Sequence, residues 1–111
     1  MENAGAGRLD TDQSLTRRND ITSPNRFQLL PNYPNPFNAV TTIGFQIQVA
    51  GKVSLKAYDL IGREVATIFA GEKPAGYYRF TFDANDLPSG IYLYQLKSGN
   101  FRQTRKMTIL K

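Results

Sequence analysis

The strongest constraint on how this chain folds is an alternation of apolar and polar residues that begins after Pro36 and has a period of two. The apolar positions of successive segments are Ile43, Phe45, Ile47 and Val49, then Val53, Leu55 and Ala57, then Tyr78, Phe80 and Phe82, then Tyr92, Tyr94 and Leu96, and finally Met107 and Ile109. Residues 63–70 add a strand-like segment of mixed sidedness. No window shows a convincing 3.6-residue period, so the pattern predicts short strands and no helix.

Turn-forming residues separate these segments every ~8–14 residues. Gly62 supplies backbone freedom at one turn, residues 71–76 are predicted as a glycine-bounded loop, and Gly99-Asn100 is a two-residue hairpin signal. Six strands result, and residues 27–30 provide a seventh. This spacing predicts an all-β fold, an immunoglobulin-like antiparallel β-sandwich of about seven strands, with a small barrel as the alternative.

Composition divides the chain into two parts. Residues 1–26 are rich in small and polar residues and contain few large apolar side chains, which predicts a flexible linker or tail. Residues 27–111 hold nearly all the large apolar residues and are numerous enough for one domain with its own core. The first 25 residues lack the apolar region of a secretory signal, and no run has the length of a transmembrane helix.

The chain contains no cysteine and no histidine. A disulfide framework, a zinc finger and a haem attachment are therefore excluded, and the commonest general base and the best thiol nucleophile are missing. Asp83, Asn85 and Asp86 are too few for a good calcium site and suit a turn better. Asp59 and Glu64 flank Arg63, for which an ion pair is the ordinary role. We expect no catalytic residue, no cofactor and no metal.

The net charge of +5 is concentrated at the C-terminal end of the chain. Acidic and basic residues balance within residues 1–26, whereas residues 97–111 carry no acid. The cations of that segment are Lys97, Arg102, Arg105, Lys106 and Lys111. Such a basic strip favours anionic partners, which are nucleic acid, a membrane surface, an anionic polysaccharide or an acidic receptor, with nucleic acid the weakest of these because the aromatic residues suit a core. The alternative is an edge strand that its cations protect against aggregation.

A proline-rich stretch, "LLPNYPNPFN", precedes the first clear strand. Pro31, Pro34 and Pro36 each restrict φ and remove a backbone donor, so the stretch is predicted to be extended and poor at strand pairing. It suits a stiff lead-in that crosses one end of the sandwich, with Phe37 closing the core and Tyr33 covering an edge. Asparagines that can form turns with their own backbone are Asn32, Asn35 and Asn38. A rigid cap without a recognition role is the alternative.

Four motifs in unbroken order resemble a known family. They are "YPNPFNAVTTIGFQI", "VSLKAYDLIGREVATI", "PAGYYRFTFDANDLPSGIYLYQLKSG" and "RQTRKMTILK". Together they resemble the type A C-terminal sorting domain of type IX secretion cargo over about residues 29–111. The family usually has Pro where this chain has Ala39 and Ser where it has Val40, in a loop.

The resemblance implies a non-catalytic, immunoglobulin-like module that directs folded cargo across the outer membrane of a Gram-negative bacterium. It implies a periplasmic intermediate and a secreted or cell-surface location. The implied partners are the type IX translocon, a sortase-like surface peptidase and anionic lipopolysaccharide, with no nucleic acid. The positions that match the family's motifs, or lie in its basic terminal strand, are Pro34, Asn35, Pro36, Phe37, Asp59, Gly62, Arg63, Gly90, Tyr92, Arg105, Lys106, Met107 and Lys111.

Two other functions compete with sorting. The same stretches resemble the immunoglobulin-like domain of the flagellar hook-capping protein, which implies a structural module of an extracellular or flagellar assembly. That family normally embeds the module within a longer chain, whereas here the motifs run to the terminus. Alternate tyrosines could also form a carbohydrate-binding platform, although on a sandwich such residues more often pack in the core or at its rim. These tyrosines are Tyr77, Tyr78, Tyr92 and Tyr94.

Overall fold

A computed structural model of the chain describes residues 26–111. This part contains seven strands and no helix: β1 Gln28–Leu29, β2 Val40–Ile47, β3 Gly51–Tyr58, β4 Glu64–Lys73, β5 Gly76–Asp83, β6 Gly90–Ser98 and β7 Phe101–Ile109. It therefore holds no helix that could cross a membrane. The predicted flexible tail, residues 1–26, lies outside the described residues except for Arg26.

The seven strands form two antiparallel sheets. One has the order β1-β2-β5 and the other the order β4-β3-β6-β7. The predicted β-sandwich is confirmed, and the small barrel was wrong because the two sheets remain separate. β4 pairs with β3, whereas in the constant-type immunoglobulin arrangement the fourth strand pairs with the fifth. The four-stranded sheet consequently has β4 and β7 as its edges.

The core lies between the sheets and is built from the alternating apolar residues. Ile43, Leu55, Tyr94 and Met107 contribute from four different strands, and each is fully buried. The predicted inward face was wrong at Val49, which is 60% exposed because β2 ends at Ile47. Burial of apolar surface at about 25 cal/mol per Å² is the main favourable term for a domain of this size.

The connection between β4 and β5 is shorter than expected. Residues 71–76 were predicted as a loop, but β4 continues to Lys73, paired with Gly51, and only residues 74–75 separate it from β5. Register shifts between Leu55 and Lys56 and between Ala57 and Tyr58 mark bulges in the β3–β4 pairing. Each bulge inserts an extra residue, which explains the mixed sidedness of β4.

The short strand β1 links the two sheets through side chains. The Leu29 amide donates to Oε1 of Gln103 at 2.9 Å, and Nε of Arg105 donates to the Leu29 carbonyl at 2.7 Å. The Tyr94 hydroxyl donates to the Leu30 carbonyl at 2.8 Å, and burial of this phenol raises its pKa. These bonds close the sandwich where β1 faces β7, so polar groups of β1 remain satisfied without a further strand.

Candidate recognition surface

The connections between strands lie at two opposite ends of the sandwich. The motif end consists of residues 33–39, 59–63, 84–90 and 109–111, which begin or follow strands at the same edge of the fold. The hairpin end consists of the connections at residues 48–50, 74–75 and 99–100 together with Phe27. The Phe27 ring stacks on Phe101, which directly follows one of these connections, at 5.2 Å. The chain therefore enters the domain at the hairpin end.

The proline-rich stretch crosses the motif end, as expected, and buried polar groups hold it there. The hydroxyl of Thr41 donates to the Pro34 carbonyl at 2.8 Å, and Nδ2 of Asn32 donates to that hydroxyl oxygen at 3.1 Å. Tyr33 forms an isolated antiparallel bridge with Thr42. The Tyr33-Pro34 and Asn35-Pro36 peptide bonds are both cis. These contacts turn three restricted prolines into a fixed surface.

The stretch then pairs with the last strand of the domain. The Thr108 amide donates to Oδ1 of Asn35 at 3.0 Å, and the Phe37 amide donates to the Thr108 carbonyl at 3.0 Å. The Leu110 amide donates to the Phe37 carbonyl at 2.9 Å. The local turn predicted for Asn35 was wrong, because this side chain binds an amide 73 positions away. Residues from both ends of the described chain thus form one unit.

Phe37 closes the core at the motif end, as the sequence predicted. Its side chain is 2% exposed and meets the Phe82 ring edge-on at 6.5 Å. The next turn is strained, because Ala39 has a φ of 74°, in the left-handed region that residues with a Cβ rarely adopt. The Ala84 amide donates to the Ala39 carbonyl at 2.6 Å and stabilises this conformation.

The C-terminal residues bind the β5–β6 connection. The Lys111 amide donates to the hydroxyl oxygen of Ser89 at 3.0 Å, and Nζ of Lys111 donates to the Asn85 carbonyl. In the same connection the Tyr92 hydroxyl donates to the Pro88 carbonyl, four residues upstream, at 2.8 Å. This is the tyrosine corner of immunoglobulin-like domains. Tyr92 is 7% exposed, so it supports the surface from beneath.

The turn at residues 59–63 is held by one carboxylate. Oδ1 of Asp59 accepts hydrogen bonds from the amides of Ile61 and Arg63 at 3.1 and 2.9 Å, and Oδ2 accepts one from Nε of Arg63 at 2.8 Å. The backbone hydrogen bond from Arg63 is the main cause that lowers the pKa of the Asp59 carboxyl. Gly62 has a φ of 91°, which explains why the turn contains glycine.

This ordered turn exposes two aliphatic side chains that sequence reasoning missed. Leu60 is 63% exposed and Ile61 is 76% exposed. Val40 and Leu110 lie at the same end and are 45% and 56% exposed. The signal in the sequence was a Leu-Ile pair between the turn residues Asp59 and Gly62, where strand alternation gives no reason for apolar residues. Exposed aliphatic residues on an ordered support are typical of a protein-binding surface.

The basic residues of the last two strands do not form one strip. Lys97 on β6 lies directly opposite Arg102 on β7, and both face outward with Lys106, which is exposed on the same sheet face. Arg105 points to the other side, where it binds Leu29, and Lys111 lies at the motif end. The neighbouring Met107 is fully buried, so its contribution is to the core. Arg102 and Lys106 do lie on an edge strand, where cations oppose edge-to-edge association.

The tyrosine and carboxylate clusters considered from sequence separate in the structure. Tyr92 and Tyr94 are buried, so the four-tyrosine platform was wrong, and Tyr77 is the one of the four that is largely exposed. Oδ1 of Asp83 accepts a hydrogen bond from the Asn85 amide at 2.9 Å, which is the turn role that the sequence favoured. Residues 26–111 contain no cluster of three or more acidic side chains placed to hold a metal ion.

Comparison with known proteins adds a family and a fold neighbour. A family model described as a secretion system C-terminal sorting domain matches residues 32–110. The chain is also similar to the crystal structure of dimeric latent PorU from Porphyromonas gingivalis, with a TM-score of 0.60 and 16% sequence identity. That similarity covers 92% of this chain but 10% of the other, and at this identity it shows a shared fold alone. No curated protein sequence matches significantly.

Proposed function

Because the chain belongs to the secretion system C-terminal sorting domain family, we propose that it is a non-catalytic targeting module that docks through its motif end. Sorting domains of this family mark proteins for secretion by the type IX system, across the outer membrane to the cell surface or the extracellular space. Beyond this family role, we propose which surface carries the secretion signal, which partners bind it, and that the cargo is attached at the cell surface.

The observation that carries this proposal is the convergence of three sequence motifs at the end opposite to chain entrance. Asn35 and Phe37 bind β7, Lys111 binds the β5–β6 connection, and the Asp59 turn lies at the same end. Cargo joined upstream of residue 26 would connect at the hairpin end. The motif end would then remain accessible while the cargo is still attached.

The exposed aliphatic pair supports docking energetically. Full burial of a Leu or Ile side chain contributes about 1.5–3 kcal/mol. The backbone that carries Leu60 and Ile61 is already ordered by the hydrogen bonds of Asp59, so little backbone entropy remains to be lost on binding. Arg63, with 75% of its side chain exposed, adds a cation beside the pair. We expect the translocon component to offer an apolar pocket with an acidic rim.

The proposal includes two further partners. The outward cations Lys97, Arg102 and Lys106 suit anionic lipopolysaccharide after transfer to the surface. A sortase-like peptidase would act upstream of Gln28, in the segment between cargo and domain. The edge strands β4 and β7 also provide unpaired backbone groups to which a translocon strand could add.

The chemistry of the carboxylates supports a role without catalysis. Asp59 pairs with Arg63, and Glu64 accepts a hydrogen bond from Thr67 and lies 3.3 Å from Nζ of Lys56. These contacts lower the pKa of both carboxyls. A general acid at neutral pH needs a raised carboxyl pKa, so neither group suits that task.

A secretion assay with matched substitutions tests the proposal. A folded reporter is fused upstream of residues 1–111 and expressed in a bacterium that has a type IX system. We expect export with the native module and loss of export with L60S/I61S. The control is V49S, because Val49 is similarly exposed at the hairpin end. The melting temperature of each variant is measured, so that a folding defect is not mistaken for a docking defect.

The outcomes distinguish the sorting role itself from the location of the docking surface. A reporter that stays in the cell with the native module contradicts sorting and favours a structural module of an extracellular assembly. Export that survives L60S/I61S but is lost with V49S places the docking surface at the hairpin end instead. Export lost only on substitution of Lys97, Arg102 and Lys106 assigns the signal to the cationic sheet face.

A further inference from the structure

The outer face of the three-stranded sheet carries a trough that the sorting role does not use. One part, a depression of about 390 Å³, is lined by Leu30, Pro31, Tyr33, Thr42, Gly44 and Arg79. An adjoining depression of about 300 Å³ is lined by Leu30, Tyr77, Tyr78 and Arg79. Because the two depressions share Leu30 and Arg79, they adjoin each other, and together they are called the trough. Each volume lies at the lower end of the range of small-ligand sites.

A glycine forms the floor of the trough. Gly44 faces outward between the inward residues Ile43 and Phe45, and the flanking side chains lie close enough that its backbone is buried. A Cβ at this position would lie 3.3 Å from Cδ1 of Leu30 and 3.8 Å from Cγ of Arg79. Any larger side chain would fill the space between the two walls. The trough therefore depends on glycine at this position.

Exposed aromatic rings stand towards the two ends of the trough. Tyr33 is 80% exposed and lies opposite Thr42, whereas Tyr77 is 63% exposed and lies opposite Gln46. Thr42 and Gln46 are four positions apart along β2, which corresponds to ~13 Å at ~3.3 Å per residue. Two phenol rings at this spacing can stack on both ends of a short oligosaccharide, because a phenol combines an apolar face with a polar tip.

A guanidinium lies between the two rings. Arg79 lines both halves of the trough, and no carboxylate among residues 26–111 lies within ion-pairing distance of it. Guanidinium groups bind carboxylates through two parallel hydrogen bonds. Charge complementarity therefore indicates an anionic ligand whose carboxylate meets Arg79.

The backbone in the trough favours a sugar over a peptide. The Leu30 amide donates to the Gly44 carbonyl, the Leu30 carbonyl accepts the Tyr94 hydroxyl, and Tyr33 exchanges both hydrogen bonds with Thr42. Residues 76–83 pair with β2 along its whole length. On the floor of the trough an added peptide strand would find no free main-chain partner, because β2 is paired on both sides, and the open edge of β5 lies beside the floor. The available groups are side-chain hydroxyls and a guanidinium, which suit a hydroxyl-rich ligand.

We propose that this trough binds a short acidic oligosaccharide, with Tyr33 and Tyr77 stacking on sugar rings and Arg79 binding a uronate carboxylate. The site shares Tyr33 with the border of the motif end but none of the residues proposed for docking, Leu60, Ile61 and Arg63, so it can fail without affecting the proposed sorting role. This site differs from the four-tyrosine platform considered in the sequence analysis. It keeps Tyr77 as a stacking ring and adds Tyr33, Arg79 and the floor at Gly44.

The test is an NMR titration of the full 111-residue chain with trigalacturonate as probe. We expect saturable shifts of the amides of Thr42, Gly44 and Arg79, and markedly weaker binding of the neutral trisaccharide maltotriose.

R79Q should weaken trigalacturonate binding about tenfold, which corresponds to loss of one charge-assisted contact. Y33A/Y77A should remove saturable binding. G44A should weaken it while the matched variant G51A does not, because a Cβ on Gly51 meets no atom within 4 Å.

The matched charge control is R102Q, on the outer face of the other sheet. Binding that R102Q weakens as much as R79Q would overturn the proposal and indicate general attraction of polyanions to the basic face. Absence of saturable binding by trigalacturonate would overturn it as well. A proline-rich acidic peptide that shifts the same amides at lower concentration would reassign the trough to peptide recognition.

Discussion

The two ends of the sandwich are built in different ways. At the hairpin end the connections are short and local, and the Tyr78 hydroxyl binds the Pro74 carbonyl only four residues away. At the motif end an asparagine in the lead-in binds an amide 73 positions later, and the terminal lysine binds residues 22 and 26 positions earlier. The hairpin end is held by turn chemistry and the Phe27–Phe101 stack, whereas the motif end combines local turns with long-range hydrogen bonds that depend on the completed fold.

The ends also differ in what they expose. The motif end presents Val40, Leu60, Ile61 and Leu110 on backbone that side chains hold in place. At the hairpin end Val49 is exposed in a simple turn. A surface that exposes apolar residues on a backbone ordered by hydrogen bonds is better suited to recognition than to stability. The contrast separates a docking end from a connecting end.

Truncation of one aromatic ring at each end gives the largest expected difference. F37A should lower the free energy of unfolding by about 3–5 kcal/mol, because Phe37 is buried and its loss leaves a cavity. F27A should cost about 1–2 kcal/mol, because Phe27 is half-buried and stacks on Phe101 alone among the aromatic residues of the described chain. Urea unfolding measures both changes in the free energy of unfolding, and we expect the m-values to stay unchanged. Equal losses would contradict the proposed asymmetry.

A Cβ added at one glycine of each end should have unequal costs. G62A places a side chain at a φ of 91° and should destabilise the domain by about 1–2 kcal/mol. G51A, at the start of β3, has open space and should change the free energy of unfolding by less than about 0.5 kcal/mol. Thermal unfolding of the pair is the measurement, and a cost at Gly51 that matches the cost at Gly62 would refute the assignment of strain.

Loss of the long-range asparagine bond should have a local effect. N35A leaves the Thr108 amide without its acceptor and should cost about 1 kcal/mol. Hydrogen exchange at the Thr108 and Leu110 amides should accelerate, whereas amides of the β6–β7 hairpin should be unchanged. N38A, a neighbouring exposed asparagine, is the control. Uniform acceleration throughout β7 would mean that the bond supports the whole strand.

Relief of backbone strain at Ala39 should stabilise the domain, whereas the preceding substitutions destabilise it. A39G removes the Cβ that makes a φ of 74° unfavourable, and should raise the free energy of unfolding by about 0.5–1 kcal/mol. Thermal unfolding measures this change, and G62A provides the reciprocal comparison. A destabilised A39G variant would show that the methyl group of Ala39 contributes packing that outweighs its strain.

The smallest expected effect is a dependence on acid pH at the motif end. The pKa of Asp59 is lowered in the folded protein, so its contribution to stability is fully present above the ordinary value of 3.8 and is lost as the pH falls through the folded pKa. Amides of Ile61 and Arg63 should therefore exchange faster near pH 3 relative to their intrinsic rates. D59N should remove this pH dependence, and an unchanged profile in D59N would assign it to another carboxyl such as Glu64.

Local patterns predicted most of the fold because strand periodicity and turn chemistry are short-range properties. The inward residues of β3 and β6 and the Gly99-Asn100 hairpin were confirmed, and Phe37 was correctly placed in the core. The extent of β4 was missed because Gly71 is a turn signal in isolation, yet pairing with Val53 holds it in a strand. Val49 was misassigned because alternation alone does not show where a strand ends.

The candidate site was predicted in its parts and not in its assembly. The sequence supplied the motifs around Pro34, Asp59, Gly90 and Lys111, and their resemblance to a family. It could not show that Asn35 binds Thr108 in place of its own backbone, or that the five cations of residues 97–111 point in three directions. Such contacts depend on sheet order and register, which bring together residues far apart in the chain.

The sequence by itself thus determined most of the strands and most of their inward faces, because both are encoded in neighbouring residues, and its composition excludes histidine and cysteine chemistry. The tertiary structure alone decided that separate motifs share one end and that Arg105 binds Leu29 while Arg102 faces outward. It alone decided that Gly44, Arg79 and two tyrosines surround a trough. The physical reason is that position in three dimensions follows from strand pairing across the sheets, whose long-range partners no local pattern specifies.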